Sequence, residues 1–372
     1  MTSAFCGEGR PIQIEDQELR AMRPLVLDDP MEHTMEESLI PYMDIKIHQM
    51  LKEREYKNIW IIGDKDRSGE IFNEEKKDKK FNWKRPSTQL IGDDLYVKVF
   101  PGREYVKHYA TLIASYFAIE GRTYSHIRYV LPDESEIWQA IKSTNIDEIP
   151  AGDVAVLGYG LDELIGDEQL VWEGECVFSW HTKKIGDKNV VFIGSRYSYW
   201  GDISGKIVTF LGKKGFKDVI YVGKVGGMNC RGVPNQTLAT GDNSFIEGET
   251  IKWTNLFDFA KEDGQVVFGN HYTIPSVMNE TKEWLAKNKS YAFVDNEIGF
   301  MAKAAQSESM RFSYLHIISD NLNKGYEEDL SNERSKEARM HRLQLLQKAK
   351  ALIEQALTQT SAAPSSDKER AG

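Results

Sequence analysis

From residue 153 to residue 357, short apolar runs of strand length alternate with amphipathic stretches of helix length, which restricts the segment to an α/β sheet protein. The runs at 154–157, 219–222, 266–268, 292–294 and 314–318 predict buried strands. Those at 176–180 and 190–193 flank Gly186-Asp187 and predict a hairpin. Helices are predicted over 203–214, stopped by Gly215, and over 276–289, 297–305 and 333–357. In the last of these, Leu343, Leu346, Ala349, Ile353 and Leu357 recur at helical spacing. The strand at 219–222 runs into Gly223-Lys224-Val225-Gly226-Gly227, read as a glycine-rich turn.

The chain has 372 residues, comfortable for two domains. Residues 1–150 are α/β material without a recognisable motif, expected to form an extension or a small domain of unknown function. A helix is predicted over 35–55, started or broken at Pro41, with a strand over 59–63. The segment 64–85 mixes acids and bases and reads as a solvated loop. A strand over 95–100, a helix over 105–119 and a strand over 126–131 follow. Residues 1–30 and the tail 358–372 are too polar to build a core and are expected to be disordered.

The net charge of −10 argues against general binding to nucleic acid or to anionic membranes, yet allows a small anion in a local pocket. The three cysteines, Cys6, Cys176 and Cys230, have neither metal-ligand nor disulfide-framework spacing. The polar N-terminus lacks the pattern of a signal peptide, and no apolar run approaches the ~18 residues of a membrane helix. A cytoplasmic location is expected, or a host cytosol after export by a route without a cleaved signal.

Three segments in order carry a resemblance. Lys217-Asp218-Val219-Ile220-Tyr221-Val222-Gly223-Lys224-Val225-Gly226-Gly227-Met228 is an apolar strand with glycines after it. Val294-Asp295-Asn296-Glu297-Ile298-Gly299-Phe300-Met301-Ala302 joins a strand to a helix. Ile317-Ile318-Ser319-Asp320 ends a strand, and Gly269-Asn270-His271-Tyr272 lies between the first two. Together they resemble the superfamily of purine and uridine nucleoside phosphorylases and methylthioadenosine/adenosylhomocysteine nucleosidases. The resemblance leaves out residues 1–150. It implies a three-layer α/β/α domain with a central mixed sheet over 151–357, cleavage of an N-glycosidic bond, and a homo-oligomer.

The implied roles suit the residue types. A carboxylate at a strand end can accept two ribose hydroxyls, as expected of Glu297; a second acid can protonate the leaving base, as expected of Asp320. Tyr272 is expected to stack on base or sugar. Gly226, Asn296 and Ser319 complete the expected substrate contacts, although Asn296 stands where the family has Met. Asp295 and Asn296 also read as caps of the following helix.

The nucleophile divides the readings. In the phosphorylases an Arg stands where this chain has Tyr221, and another where it has Glu163. A carboxylate at Glu163 repels phosphate and can instead take a proton from water, favouring hydrolysis. Lys224, Arg196 and Ser195 are the candidates for an anion site, and with them phosphorolysis, with phosphate as co-substrate, is the alternative. A catalytically silent binding protein on the same fold is the third reading. The expected partner is a small nucleoside, and no metal or cofactor is implied.

Overall fold

The computed structural model describes residues 19–64, 69–71, 81–82, 85–229, 232–328, 330 and 335–359. The expectations for residues 1–18 and 360–372, for Cys6 and Cys230, and for much of the 64–85 loop lie outside these residues.

A five-stranded sheet lies in the N-terminal segment. It comprises β1 (Asn58–Gly63), β2 (Glu70–Ile71), β3 (Ser87–Ile91), β4 (Asp94–Val99) and β5 (Ile127–Val130), in the order β2-β3-β4-β1-β5. β1 runs parallel to both β4 and β5. The helix α3 (Arg103–Ile119) buries Val106, Tyr109, Ala110, Ile113 and Phe117 in a core shared with Ile59, Ile61, Leu95 and Val97 of the sheet. The single helix expected over 35–55 is instead three short pieces: a 3-10 turn at Glu36–Ser38, α1 (Leu39–Asp44) and α2 (Gln49–Glu53). Pro41 sits in the first turn of α1, where its missing N–H costs no helical hydrogen bond.

The second sheet has eleven strands and is built around β9 (Asp218–Gly227). Its other members are β6 (Val154–Gly158), the hairpin β7 (Phe178–Ile185) and β8 (Lys188–Ser195), β10 (Leu238–Thr240), β11 (Asn243–Ile246), β12 (Glu249–Lys252), β13 (Val266–Phe268), β14 (His271–Thr273), β15 (Phe293–Asp295) and β16 (Arg311–Asn321). Alternate residues of the central strands point to opposite faces. Ala155, Leu157, Val219 and Tyr221 pack with the helices α4 (Glu134–Lys142), α6 (Asp202–Lys213) and α8 (Ile298–Ser307) on one side. Val154, Val156, Ile220 and Val222 pack with α5 (Leu161–Ile165) and α9 (Lys336–Gln359) on the other. The remaining helix, α7 (Lys282–Asn288), follows β14. Each buried Val or Ile contributes roughly 1.5–3 kcal/mol, so covering both faces is what holds the strands together. The result is a three-layer α/β/α fold with a central mixed sheet.

Two expectations are corrected here. Gly223–Gly227 is not a turn: β9 continues through it, paired along its length with β16. The helix expected over 276–289 is divided into a 3-10 turn, Val277–Asn279, and α7, because Thr281 caps Trp284 N–H with its hydroxyl.

The branching of the sheet at β9 positions everything that follows. β6 pairs with β9 only as far as Gly158 opposite Val222, while β15 joins the same edge, antiparallel, at Gly226 and Gly227. Between these pairings, one edge of β9 has no strand partner among the described residues. Gly158 closes the first pairing with φ +116°, and a Cβ there would lie 1.9 Å from the Val222 carbonyl oxygen. Gly158→Ala therefore combines backbone strain with a clash against backbone that cannot move aside. It should lower stability by more than about 2 kcal/mol, read as a fall of several degrees in the thermal midpoint.

Candidate functional site

A cavity of about 600 Å³ opens in the gap along β9. Its floor comes from strand ends: Gly158 at the end of β6, Tyr221, Val222, Gly223, Lys224 and Gly226 on β9, Val294 and Asp295 at the end of β15 with Asn296 and Glu297 beyond it, and Ser319 and Asp320 on β16. Ligand sites on open α/β sheets lie at such carboxyl ends of strands. Of the sequence candidates, Asp320, Glu163, Glu297, Asn296, Gly226, Ser319 and Lys224 line this cavity. Tyr272, Ser195 and Arg196 are not among its lining residues. Tyr272 packs against Phe245, Trp284 and Tyr291. The Ser195 hydroxyl accepts the Tyr197 N–H, and the Arg196 guanidinium donates to the Glu175 carbonyl.

Asp320 is placed by a bulge. The register of β16 against β9 slips between Ile318 and Asp320, setting Asp320 opposite Gly226. The Ser319 hydroxyl donates to Asp320 Oδ1 at 2.7 Å. Beside Asp320 is a residue the sequence reading missed. Glu280, on the connection between β14 and α7, lines the same cavity and is only 4% exposed. Burial, and then the charge of Asp320, push its carboxyl well above the usual range. Burial and the neighbouring charge thus both favour the protonated form of Glu280.

Glu297 stands at the N-terminus of α8, but it does not cap the helix. Asp295 does: its Oδ1 accepts the N–H groups of Glu297 and Ile298, each at 3.0 Å. Asn296 is occupied by donating from its side chain to the Ile274 carbonyl at 2.6 Å. Glu297, half-buried, is thereby left with its carboxyl at the cavity wall. Burial raises its pKa well above the ordinary value, and the neighbouring Asp295 raises it further.

Asp295 is itself compensated. Burial alone would push its carboxyl up, but the nearby imidazoles of His271 and His316 outweigh that and hold it below the ordinary range. His271 Nε2 lies 3.2 Å from Oδ1 and His316 Nε2 lies 3.8 Å from Oδ2. His271 Nδ1 meets the Ser244 hydroxyl at 2.9 Å. His316 is completely buried against the edges of Tyr221 and Tyr314, and burial depresses its pKa to about 4. A Cβ at Gly223 would lie 2.8 Å from His316 Nε2, so that glycine is required by packing within a strand.

The rim is mixed in charge. Glu163 and Asp162 lie on the short helix α5; both are exposed, and Asp162 accepts the Trp172 indole N–H. Arg339 and Arg342 of α9 and Lys224 of β9 bring cations to the same cavity, and Lys46, just beyond α1, adds another from the N-terminal segment. Trp200 lines it with its indole N–H donated to the Pro275 carbonyl and its ring stacked on His108 of α3 at 4.3 Å. Among the described residues no cluster of His, Cys, Asp and Glu could hold a metal ion, and no helix is long and apolar enough to cross a membrane.

No family model matches the chain. In sequence it is 21% identical over 256 residues to oxidoreductase cns1 of Cordyceps militaris, an alignment taking in 61% of this chain and 32% of that protein. The chain thus spans about a third of the curated relative it matches. In fold it is similar to the methylthioadenosine/adenosylhomocysteine nucleosidase of Campylobacter jejuni, with 15% identity, a TM-score of 0.45, and 56% of this chain and 100% of the other covered. It is also similar to a variant of the adenosine/methylthioadenosine phosphorylase of Schistosoma mansoni, with 11% identity, a TM-score of 0.44, and 58% and 93% covered.

The proximity of the two acids has a direct consequence. The Asp320 charge is one cause of the raised Glu280 pKa, so Asp320→Asn should lower it. Burial is the larger cause and persists, so the value should remain above the ordinary one. Carbon-13 titration of the glutamate carboxyls, with Glu280→Gln to assign the signal, measures this. An unchanged Glu280 titration would separate the two groups.

Proposed function

We propose that the chain cleaves the N-glycosidic bond of a nucleoside by hydrolysis. The observation carrying this reading is the arrangement of Asp320, Glu280 and Glu297 around one cavity at the strand ends. Loss of a base through an oxocarbenium-like sugar needs a proton delivered to the departing base and a group that holds the sugar. In the Asp320–Glu280 pair, burial and the neighbouring carboxylate favour keeping a proton on Glu280, which suits the first role. Glu297 suits the second. Burial favours its neutral form, whereas two ribose hydroxyls donating to it favour the carboxylate. Sugar binding would thus draw charge onto Glu297 where positive charge develops at the anomeric carbon. The reaction as proposed uses the chain's own acids and a water molecule.

Hydrolysis is preferred because Glu163 lies at the rim with Tyr221 beside the gap, and a carboxylate there disfavours a phosphate dianion while it can accept a proton from water. Phosphorolysis is the second reading. It is favoured by Lys224, Arg339 and Arg342 on the same cavity, since arginine forks suit phosphate.

A nucleoside panel incubated with and without phosphate, and read by chromatography for free base and free sugar, tests the proposal. Base release with free ribose and no phosphate dependence is the expected result. Ribose 1-phosphate formed only when phosphate is present would transfer the site to the second reading. On the substrate so found, Asp320→Asn should lower the rate about 10²–10⁴-fold while ligand affinity stays within about tenfold, because proton donation acts in the transition state. Full activity in that variant would remove Asp320 from the chemistry. Glu163→Gln keeps size and a hydrogen-bonding oxygen but cannot accept a proton at neutral pH. It should abolish hydrolysis in phosphate-free buffer; retention of the wild-type rate would make Glu163 a bystander.

A further inference from the structure

The connection carrying Glu280 is held chiefly by the N-terminal segment. The Thr34 N–H donates to the Glu280 carbonyl oxygen at 3.0 Å. His33 bridges to Thr281, and its Nε2 lies 2.9 Å from the Val277 carbonyl oxygen. Its Nδ1 accepts the Met35 N–H at 3.1 Å, which makes Nε2 the protonated nitrogen and the donor to Val277. From α3, His108 Nδ1 meets the Ser276 hydroxyl at 2.8 Å. Met278 is buried in the N-terminal core beside Leu39, Tyr42 and Met43, and Val277 packs against that core. At the surface, Lys282 pairs with Glu36 at 2.5 Å. Both histidines are completely buried.

A helix–strand connection anchored only by its own ends would leave a buried carboxyl free to turn toward water. Here the chain on both sides of Glu280 is tied to the stretch before α1 and to α3, both of the N-terminal segment. We infer that His33 and His108 are positioning residues that hold Glu280 against Asp320, so that the N-terminal segment is part of the catalytic machinery. The role assigned to the acid pair rests on the function proposed above; the clamp itself rests on the contacts just given. The same segment reaches the cavity directly through Tyr42 and Lys46, and through His108 it supports Trp200. The titratable and charged groups that share the cavity with Glu280 are Asp320 of β16, Asp295 at the end of β15 and Glu297 beyond it, Lys224 and Tyr221 of β9, Tyr159 before α5, Asp162 and Glu163 of α5, Arg339 and Arg342 of α9, Tyr42 of α1, and Lys46. Of these, Asp320 bears most directly on it.

Loosening the clamp lets water reach Glu280 and increases its distance from Asp320. Both changes move its titration down toward an ordinary carboxyl. The full chain is titrated with carbon-13 glutamate labels, as wild type, His33→Leu, His33→Gln and Ser276→Ala. His33→Leu removes both hydrogen bonds; His33→Gln retains a donor for Val277; Ser276→Ala removes the His108 anchor, together with the cap its hydroxyl gives the Met278 N–H, without touching His33. The Glu280 titration should fall by roughly one pH unit in His33→Leu and in Ser276→Ala, and recover in His33→Gln. On a cleaved nucleoside, the alkaline limb of the kcat profile should move down by the same amount. A merely structural role would lower the rate equally at every pH and leave that limb in place. Should His33→Leu fail to fold, Ser276→Ala carries the test. Asp320→Asn separates the failures: if it is fully active while the Glu280 titration moves as expected, the reaction assignment is wrong and the clamp stands. If the titration is unchanged in both loosening variants, the clamp is overturned whatever the activity.

Discussion

One strand, β9, must satisfy two neighbours on the same edge, and the site is a consequence of the change between them. Its first half runs parallel to β6, and its last residues run antiparallel to β15. A parallel strand and an antiparallel strand cannot occupy the same stretch of edge, so a gap separates them. Every acid implicated in the chemistry lies at this gap or beside it. β16 spans it from the other edge, paired with β9 on both sides of its bulge. The glycines contribute through size: Gly158 admits the Val222 carbonyl, and Gly223 admits the imidazole of His316 beneath the strand.

The electrostatics follow from placing acids in that gap. An ionised carboxyl removed from water costs several kcal/mol unless it is compensated. Asp295 is compensated by two N–H groups at the start of α8 and by His271, which together favour its charged form. At Glu297 and Glu280 burial and a neighbouring carboxyl instead favour the protonated form. The division of labour is therefore structural: the acid that caps α8 takes the charge, and that frees its neighbour for a ligand. In an isolated helix the residue at the N-terminal position would itself make the cap. Moving the cap two residues upstream is what makes Glu297 available.

Much of the large sheet was legible because its central strands are covered on both faces and appear as plain apolar runs. Asp320, Glu297 and Lys224 were legible because they follow such runs directly. The short strands β10, β11 and β12 gave no periodic signal, having only three or four residues each. α4 was equally missed, although Asp133 and Glu136 form its capping box. Reading Gly223–Gly227 as a turn treated glycine as a break, whereas packing against His316 demanded it. Tyr272 followed a predicted strand, but period-two alternation leaves the choice of face open, and its ring sits among Phe245, Trp284 and Tyr291. Glu280 was invisible for a different reason. Its partners are Asp320 and the segment near His33, and contacts between residues so distant in sequence leave no local pattern.

The junction of the two sheets repeats the electrostatic solution found in the cavity. Asp202 opens α6 and Glu104 lies in the first turn of α3, and the two helix starts meet. A methyl group on Gly102 would lie 3.2 Å from Asp202 Oδ1, and one on Gly201 would lie 2.4 Å from the Glu104 Cβ. Burial, and then the charge of Glu104, raise the Asp202 carboxyl to about 6. A carboxyl raised on folding contributes stability below its ordinary pKa and loses that contribution as pH rises through the raised value. The junction is thus more favourable in acid than at neutral pH, while the hydrogen bonds from His33 and Thr34 to the Glu280 connection involve an uncharged imidazole and a peptide group. Burial lowers the His33 pKa, and the Met35 N–H donated to Nδ1 needs that nitrogen unprotonated, so both favour the neutral imidazole. The fastening that orients Glu280 thus uses groups separate from the Asp202–Glu104 carboxyl pair, and the two parts of the junction are held by different interactions.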